Sequence, residues 1–238
     1  MENYKRIVLK VSGEALKDKD NDLIISSKML SDVVNVIKEY VEHGLEVGVV
    51  VGAGNIWRGK LSNELQIDQV DGDYMGMIAT TLNCLAIKHR LVKEGVFAEV
   101  LSALPIKNVV REYSKEEANK LLDEKKVVIF AGGTGKPFFT TDTCAALRAI
   151  DINADVILMA KDGVEGVYTD FPLTKPNVKL IKNATYQELI DLDVKAMDKE
   201  ALELLKDTDI EMIVFNMNNS ENFLKVLKNA TIGTHIKR

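Results

Sequence analysis

The 238-residue chain predicts an α/β protein, built on a mainly parallel sheet covered by helices on both faces. Apolar, β-branched runs alternate along the chain with segments of helical periodicity. Several of those runs empty into small or glycine-rich loops, as strands do when they end at a ligand edge. The chain has no internal repeat, low-complexity segment or linker and only 4 prolines, which predicts a single domain over residues 1–238.

Arg6–Val11, with Ile7, Val8, Leu9 and Val11, is a buried first strand ended by Ser12-Gly13-Glu14. Ser26 or Ser27 can cap a helix over Lys28–Glu42, where Leu30, Val33, Val34, Ile37 and Val41 share a face and Gly44 closes the element. Glu46–Val51 is a second strand, running into Gly52-Ala53-Gly54-Asn55. Asp71–Glu94 reads as a long helix stopped by Gly95, with Met75, Met77 and Ile78 in the core. Phe97–Leu101 is a short strand and Lys115–Glu124 a helix. Val127–Phe130 is a buried strand ending in Gly132, Gly133 and Gly135, and Thr140, Thr141 and Asp142 open the helix of Ala145, Ala146 and Leu147. Asp155–Ala160 is the next strand, with Asp155 structural. Gly163 with Gly166, and then Lys175-Pro176-Asn177, mark turns on either side of Val167-Tyr168. Thr185–Ile190 and Lys199–Lys206 are helical, Ile210–Phe215 is a strand, Glu221–Lys228 a helix and Thr231–His235 a final strand.

In such a sheet the tips Ser12-Gly13, Gly52-Ala53-Gly54, Gly132–Gly135 and Lys161-Asp162-Gly163 line one shared edge. A strand that empties into glycines with N-cap hydroxyls behind them is an anion cradle. It is not a Walker A loop: Gly135-Lys136 are present, but Phe130 stands at the first-glycine position and Pro137 at the Ser/Thr position. Gly52–Arg58 fails as a dinucleotide fingerprint, because Trp57 replaces the third glycine.

Composition narrows the classes. The chain is 46% apolar and 28% charged, no apolar run approaches the ~18 residues of a membrane span, and the first residues run straight into a strand. Net charge −5 argues against nucleic acid as a partner but allows small anions, which local cations and amides can hold. Cys84 and Cys144 read as buried small hydrophobes of a reducing cytoplasm. His43, His89 and His235 are scattered, so no histidine metal site is expected.

The chemistry-bearing residues each admit two readings. Lys10 at the end of the first strand can neutralise phosphate oxygens, or be an edge lysine facing water. Arg58 can fork two N–H groups onto a phosphate, or be a surface arginine. Asp73 can accept two ribose hydroxyls, or be a first-turn carboxylate favoured by the helix dipole. Asp142 can orient a cation at a reaction centre, or stabilise a helix start. There is no Ser/His/Asp set and no HExxH; cradles and cations suit phosphoryl transfer, which depends on positioning and charge stabilisation.

LKVSGEAL (Leu9–Leu16), GAGNIWRG (Gly52–Gly59), GDYMGM (Gly72–Met77), GTGKPFFTTDT (Gly133–Thr143), ADVILMAKDGVEGVY (Ala154–Tyr168), AMD (Ala196–Asp198) and FNM (Phe215–Met217) occur in order. Together they resemble the bacterial UMP kinases, a branch of the amino acid kinase family, over essentially the whole chain. The resemblance implies a three-layer αβα sandwich, a cytoplasmic homohexamer, and magnesium-dependent transfer of the ATP γ-phosphoryl group to UMP in pyrimidine nucleotide biosynthesis. It implies that Lys10, Arg58 and Asp142 are catalytic, with Asp142 holding Lys10. Lys10, Val11, Ser12, Gly13, Gly54, Arg58, Asp162, Tyr168 and Phe171 fall at ATP-binding positions. Ala53, Asp73, Thr134, Gly135, Lys136, Pro137, Phe138, Phe139, Thr140 and Thr141 fall at UMP-binding positions, with Phe138 and Phe139 as an apolar wall to the base. The metal has no dedicated protein ligands and rides on the nucleotide phosphates, and UTP feedback inhibition is compatible with the match.

The chain departs from the family pattern at four places. Lys136 stands for the usual Asn and Ala53 for a frequent Gly. Asp170-Phe171-Pro172 replaces Ala-Asp-Pro on the adenosine side, and Lys17–Asp22 replaces a glycine-bearing segment tied to GTP activation, which argues against GTP control. Two other functions compete: an amino-acid carboxylate kinase of the same fold, and a nucleotide-binding sensor or storage protein without turnover.

Overall fold

The structure is a computed structural model that describes residues 4–18, 23–169, 178–194, 197–228 and 231–238. Its strands are β1 (Arg6–Val11), β2 (Glu46–Val51), β3 (Ala98–Ser102), β4 (Arg111–Glu112), β5 (Val127–Ala131), β6 (Val156–Lys161), β7 (Asn183–Thr185), β8 (Glu211–Asn216) and β9 (Thr234–Lys237). They form one 9-stranded sheet in the order β4-β3-β5-β2-β1-β6-β8-β9-β7. Every pairing is parallel except β8 with β9. The helices are α1 (Ser27–Glu42), α2 (Gly59–Glu64), α3 (Gln69–Lys93), α4 (Lys115–Asp123), α5 (Thr141–Asp151), α6 (Tyr186–Asp191), α7 (Lys199–Leu205) and α8 (Glu221–Lys228).

The expected three layers follow from strand alternation. Ile7, Leu9 and Val11 of β1 face one side, packed with Ile37 and Tyr40 of α1, Ile87 and Leu91 of α3, and Phe223 of α8. Val8 faces the other side, with Leu121 and Leu122 of α4, Ala145 and Ala149 of α5, Leu189 of α6 and Leu202 of α7. Burying both faces is what makes β1, β2, β5 and β6 nearly continuous apolar runs. The helix stops are as read: Gly44 (φ +83°) and Gly95 (φ +84°) take the left-handed conformation that glycine adopts without a Cβ penalty.

Four expectations are corrected. The long helix begins at Gln69, so its first-turn acid is Asp71 and Asp73 lies one turn further in. Only Met77 of its three apolar candidates is buried; Met75 and Ile78 are 39% and 51% exposed, because they sit on the helix face turned away from the sheet. The last strand is Thr234–Lys237, shifted C-terminally by its antiparallel pairing with β8. Lys10 lies in a central strand between Val50 and Met159, not at an edge facing water. At the opposite edge of the sheet Asp155 accepts the N–H groups of Lys5 and Arg6 at 2.6 and 2.8 Å, a structural clasp on the start of β1.

Candidate active site

The parallel neighbours β5, β2, β1 and β6 bring their C-terminal loops to one edge. These loops touch. A Cβ on Gly13 would lie 2.4 Å from Asn55 Oδ1, 2.6 Å from the Gly52 carbonyl and 2.8 Å from the Gly54 nitrogen, so only glycine fits there. Asn55 and Asn83 exchange side-chain hydrogen bonds at 3.0 and 2.8 Å, and Asn83 also donates to the Gly52 carbonyl at 2.8 Å. This ties the β2 loop to α3. Thr80 of α3 does the same for the β5 loop, its hydroxyl accepting the Gly132 N–H at 2.9 Å. Gly132, Gly133 and Gly135 then run through positive φ (+73°, +55° and +78°).

The charge centre lies between β1, α5 and β6. Crossing from β5 to β6, α5 packs across β1 and β2 with its N-terminus at the loop edge. Thr140 caps it, the hydroxyl accepting the Asp142 N–H at 3.1 Å. One Asp142 oxygen receives Lys10 Nζ in a short contact; the other receives Lys161 Nζ at 2.9 Å. Burial pushes the Asp142 carboxyl up, but the two ammonium groups reverse this and hold it at about 2. Burial pushes the Lys10 ammonium below the ordinary lysine range, Asp142 opposing this and Lys161 adding to it. Thr140 also donates to Asp198, the N-cap residue of α7, in a short contact; burial, with Asp142 and Glu200 adding, raises the Asp198 carboxyl.

Beside this centre Arg58 Nη2 meets Glu14 Oε1 at 2.5 Å, and its Nε donates to the Gly54 carbonyl at 3.0 Å. A cavity of about 290 Å³ opens next to it, lined by Ala53, Trp57, Asp73, Phe139, Thr140 and Thr141, among others. Asp73 Oδ2 accepts the Phe138 N–H at 2.7 Å. Ala53 is not at positive φ, so alanine stands there without strain. Beyond Phe139 a second cavity of about 660 Å³ lies between α5 and α7, lined by Thr134, Lys136, Leu147 and Leu204. It is the larger, but the smaller cavity is the one lined by both the β2 loop (Ala53, Trp57) and the β5 loop (Gly133), and by Thr140 and Thr141, which directly precede Asp142. Arg148 of α5 supports the floor: its guanidinium stacks 3.6 Å from the Tyr113 ring centroid and Nη2 donates to the Gly133 carbonyl at 3.2 Å.

The structure therefore brings together Lys10, Val11, Ser12, Gly13, Gly54, Arg58 and Asp142, and sets Ala53, Asp73, Phe139, Thr140 and Thr141 around one cavity. Thr134 and Lys136 line the second cavity, while Gly135, Pro137 and Phe138 line neither. Asp162 follows β6, and Tyr168 bridges to Leu180. Phe171, with Asp170 and Pro172, lies outside the described residues, as do residues 19–22. Glu14, Asn83 and Arg148 are not singled out by the sequence, and Lys161, which it places on the shared edge, is given no role there. Lys161 had a usable signal, since it ends a strand beside a glycine turn as Lys10 does.

The sequence profile described as the amino acid kinase family matches residues 5–216. A protein named uridylate kinase from Mycoplasma capricolum subsp. capricolum is 43% identical, over 98% of this chain and 98% of that protein. One of the same name from Mycoplasmopsis pulmonis is 44% identical over 92% of this chain and 90% of its own length. Among solved structures, the UMP kinase of Bacillus anthracis superposes with a TM-score of 0.93 at 36% identity, covering 98% of this chain and 96% of that one.

Proposed function

The chain belongs to the amino acid kinase family, and we propose that it transfers the γ-phosphoryl group of ATP to UMP, giving ADP and UDP. The observation that carries this reading is the cavity of Ala53, Asp73, Phe139, Thr140 and Thr141, joined through Thr140 and Thr141 at the start of α5 to Asp142, which holds Lys10 and Lys161. It supports an acceptor nucleotide lying with its phosphate toward the glycine loops and its ribose toward Asp73.

The acceptor phosphate oxygen is already anionic near neutral pH, so no general base is needed; the barrier is the approach of two anions in line. Lys10, Lys161 and Arg58 answer that repulsion with charge, and the Gly13 and Gly54 amides with dipoles fixed in advance. Asp142 takes no proton in this scheme. It keeps two ammonium groups close together where each would otherwise repel the other. Val11, Ser12, Asp162 and Tyr168 belong to the ATP side, and Thr134–Thr141 to the base and sugar. A pocket that pairs the polar edge of uracil leaves its own groups unpaired with another base, which is the source of discrimination.

Both Asp142 oxygens are engaged by lysines, and among the described residues no group of three or more His, Cys, Asp or Glu side chains could hold a metal. That donor set fits magnesium carried by the ATP phosphates, where the ion would neutralise charge on the transferred group. The reading includes one functional domain, supported by the single continuous sheet, and a cytoplasmic enzyme of pyrimidine nucleotide synthesis open to inhibition by UTP. It also includes a homohexamer; Val70, Tyr74, Ile78 and Leu82, which repeat every fourth residue on α3 and are 36–54% exposed, support association between copies, and the number six follows from the family resemblance alone.

The test is turnover of purified protein with ATP, magnesium and each of UMP, CMP, dTMP and glutamate. UMP is the fastest acceptor. Faster turnover of another acceptor overturns the specificity, and ATP binding without product overturns catalysis.

A further inference from the structure

We propose that Glu14 is a positioning residue for Arg58, its carboxylate fixing the guanidinium so that the unused N–H groups meet a phosphate of ATP; this rests on the phosphotransfer reading above. A carboxylate in a site for two polyanions is a liability unless a cation answers it, since like charges at close range raise the cost of binding. Yet Glu14 is built into the cradle. It follows Gly13 directly, and its own N–H is accepted by Ser12 Oγ at 3.3 Å. Its side chain is 17% exposed and lies flat on Gly54, where a Cβ would sit 3.3 Å from Glu14 Oε1 and 3.7 Å from Cγ.

Arg58 is the opposite case. Its side chain is 62% exposed, and it occupies the N-cap position of α2 without a side-chain capping bond. An arginine so placed samples many rotamers unless something holds it, and ordering it at the moment of binding costs affinity. Two contacts hold it, Nε to the Gly54 carbonyl and Nη2 to Glu14. A guanidinium has five N–H groups, so the remaining ones stay available for phosphate oxygens without breaking either contact. Glu14 thus acts only through Arg58; without Arg58 its charge opposes the ligand.

The test is a double-mutant cycle read in ATP affinity, followed by the fluorescence of Trp57, the chain's single tryptophan and Arg58's neighbour, and in kcat/KM for UMP. With Arg58 present, Glu14→Ala weakens ATP binding and lowers kcat/KM about tenfold, and Glu14→Gln, which keeps an acceptor at the same atom, about threefold. In the Arg58→Ala background Glu14→Ala changes sign, raising ATP affinity about twofold or more by removing an uncompensated anion. An equal loss in both backgrounds, or none in the first, overturns the proposal, and so does a matching fall in melting temperature that accounts for it. Failure of UMP turnover in the parent protein overturns the acceptor assignment instead, and the ATP titrations still decide the role of Glu14.

Discussion

Asp73 Oδ2 accepts the backbone N–H of Phe138 at 2.7 Å, and Phe138 sits at φ +70°. A carboxylate on α3 thereby holds an aromatic residue of the β5–α5 loop in a backbone region that costs a non-glycine residue about 1–2 kcal/mol. Phe138 recovers little of that by burial, being 65% exposed. The strain sits next to Phe139, which lines both cavities, and strain so placed is more common in binding loops than in scaffolds.

Phe138→Gly should therefore raise stability, by about 0.5–1 kcal/mol after the extra unfolded-state entropy of glycine is counted. It should raise KM for UMP at the same time. Thermal melts and steady-state kinetics on one preparation check both halves.

Asp73→Asn keeps the shape of the side chain but removes the charge that favours ribose hydroxyls as donors, and it weakens the hold on Phe138. KM for UMP should rise about tenfold, with a smaller change in kcat, since a ribose contact is made in the ground state and transition state alike. Initial-rate measurements over a UMP series separate the two.

Asp142→Asn leaves Lys10 and Lys161 facing each other across a neutral amide. Turnover should fall by about an order of magnitude or more. The carboxyl is depressed from 3.8 to about 2 in the folded protein, so its stabilisation is complete above about pH 4 and is lost as pH falls through 2, amounting to about 2 kcal/mol. Acid unfolding followed by circular dichroism should show a shallower slope below pH 4 in the Asn variant. Lys10 then loses the group that opposes its burial, so its ammonium titrates lower still, and activity of the variant should decline at the alkaline end earlier than the parent's.

Gly13→Ala drives a methyl group into a backbone carbonyl and a backbone nitrogen, neither of which can rotate aside. The loops must separate, with an expected stability loss of about 2 kcal/mol or more and loss of ATP affinity. Calorimetric melts with ATP titration on the same sample test it.

The central strands were readable because strands buried on both faces leave no polar alternation: Val47–Val51 and Val127–Ala131 are apolar but for Gly48. The strands Arg111–Glu112 and Asn183–Thr185 at the two sheet edges were not, being two or three residues long, exposed or half-buried, and without an apolar face. Gly59–Glu64 is too short to display a helical period. The loops of the site were legible through their glycines and hydroxyls. The pairings were not legible from local sequence: Lys10 and Asp142, 132 positions apart, are paired only through the family resemblance, and nothing in the segments of Asn55 and Asn83, 28 apart, names the partner. Exposed Met75 and Ile78 were misread because an apolar residue on a helix signals burial against something, and periodicity does not say whether that something is the same chain.

The crossover from β5 to β6 separates two tasks along the chain. Of residues 134–139, Thr134, Lys136 and Phe139 border the two cavities, whereas the helix after them carries Asp142 among buried neighbours and braces the start of the loop through Arg148, which bonds the Gly133 carbonyl. Under the proposed function, substitutions in that short segment would retune which small molecule is accepted while the Lys10–Asp142–Lys161 cluster stays intact. A lineage, or an engineer, seeking a new substrate has Thr134, Lys136 and Phe139 to vary and one helix to leave alone.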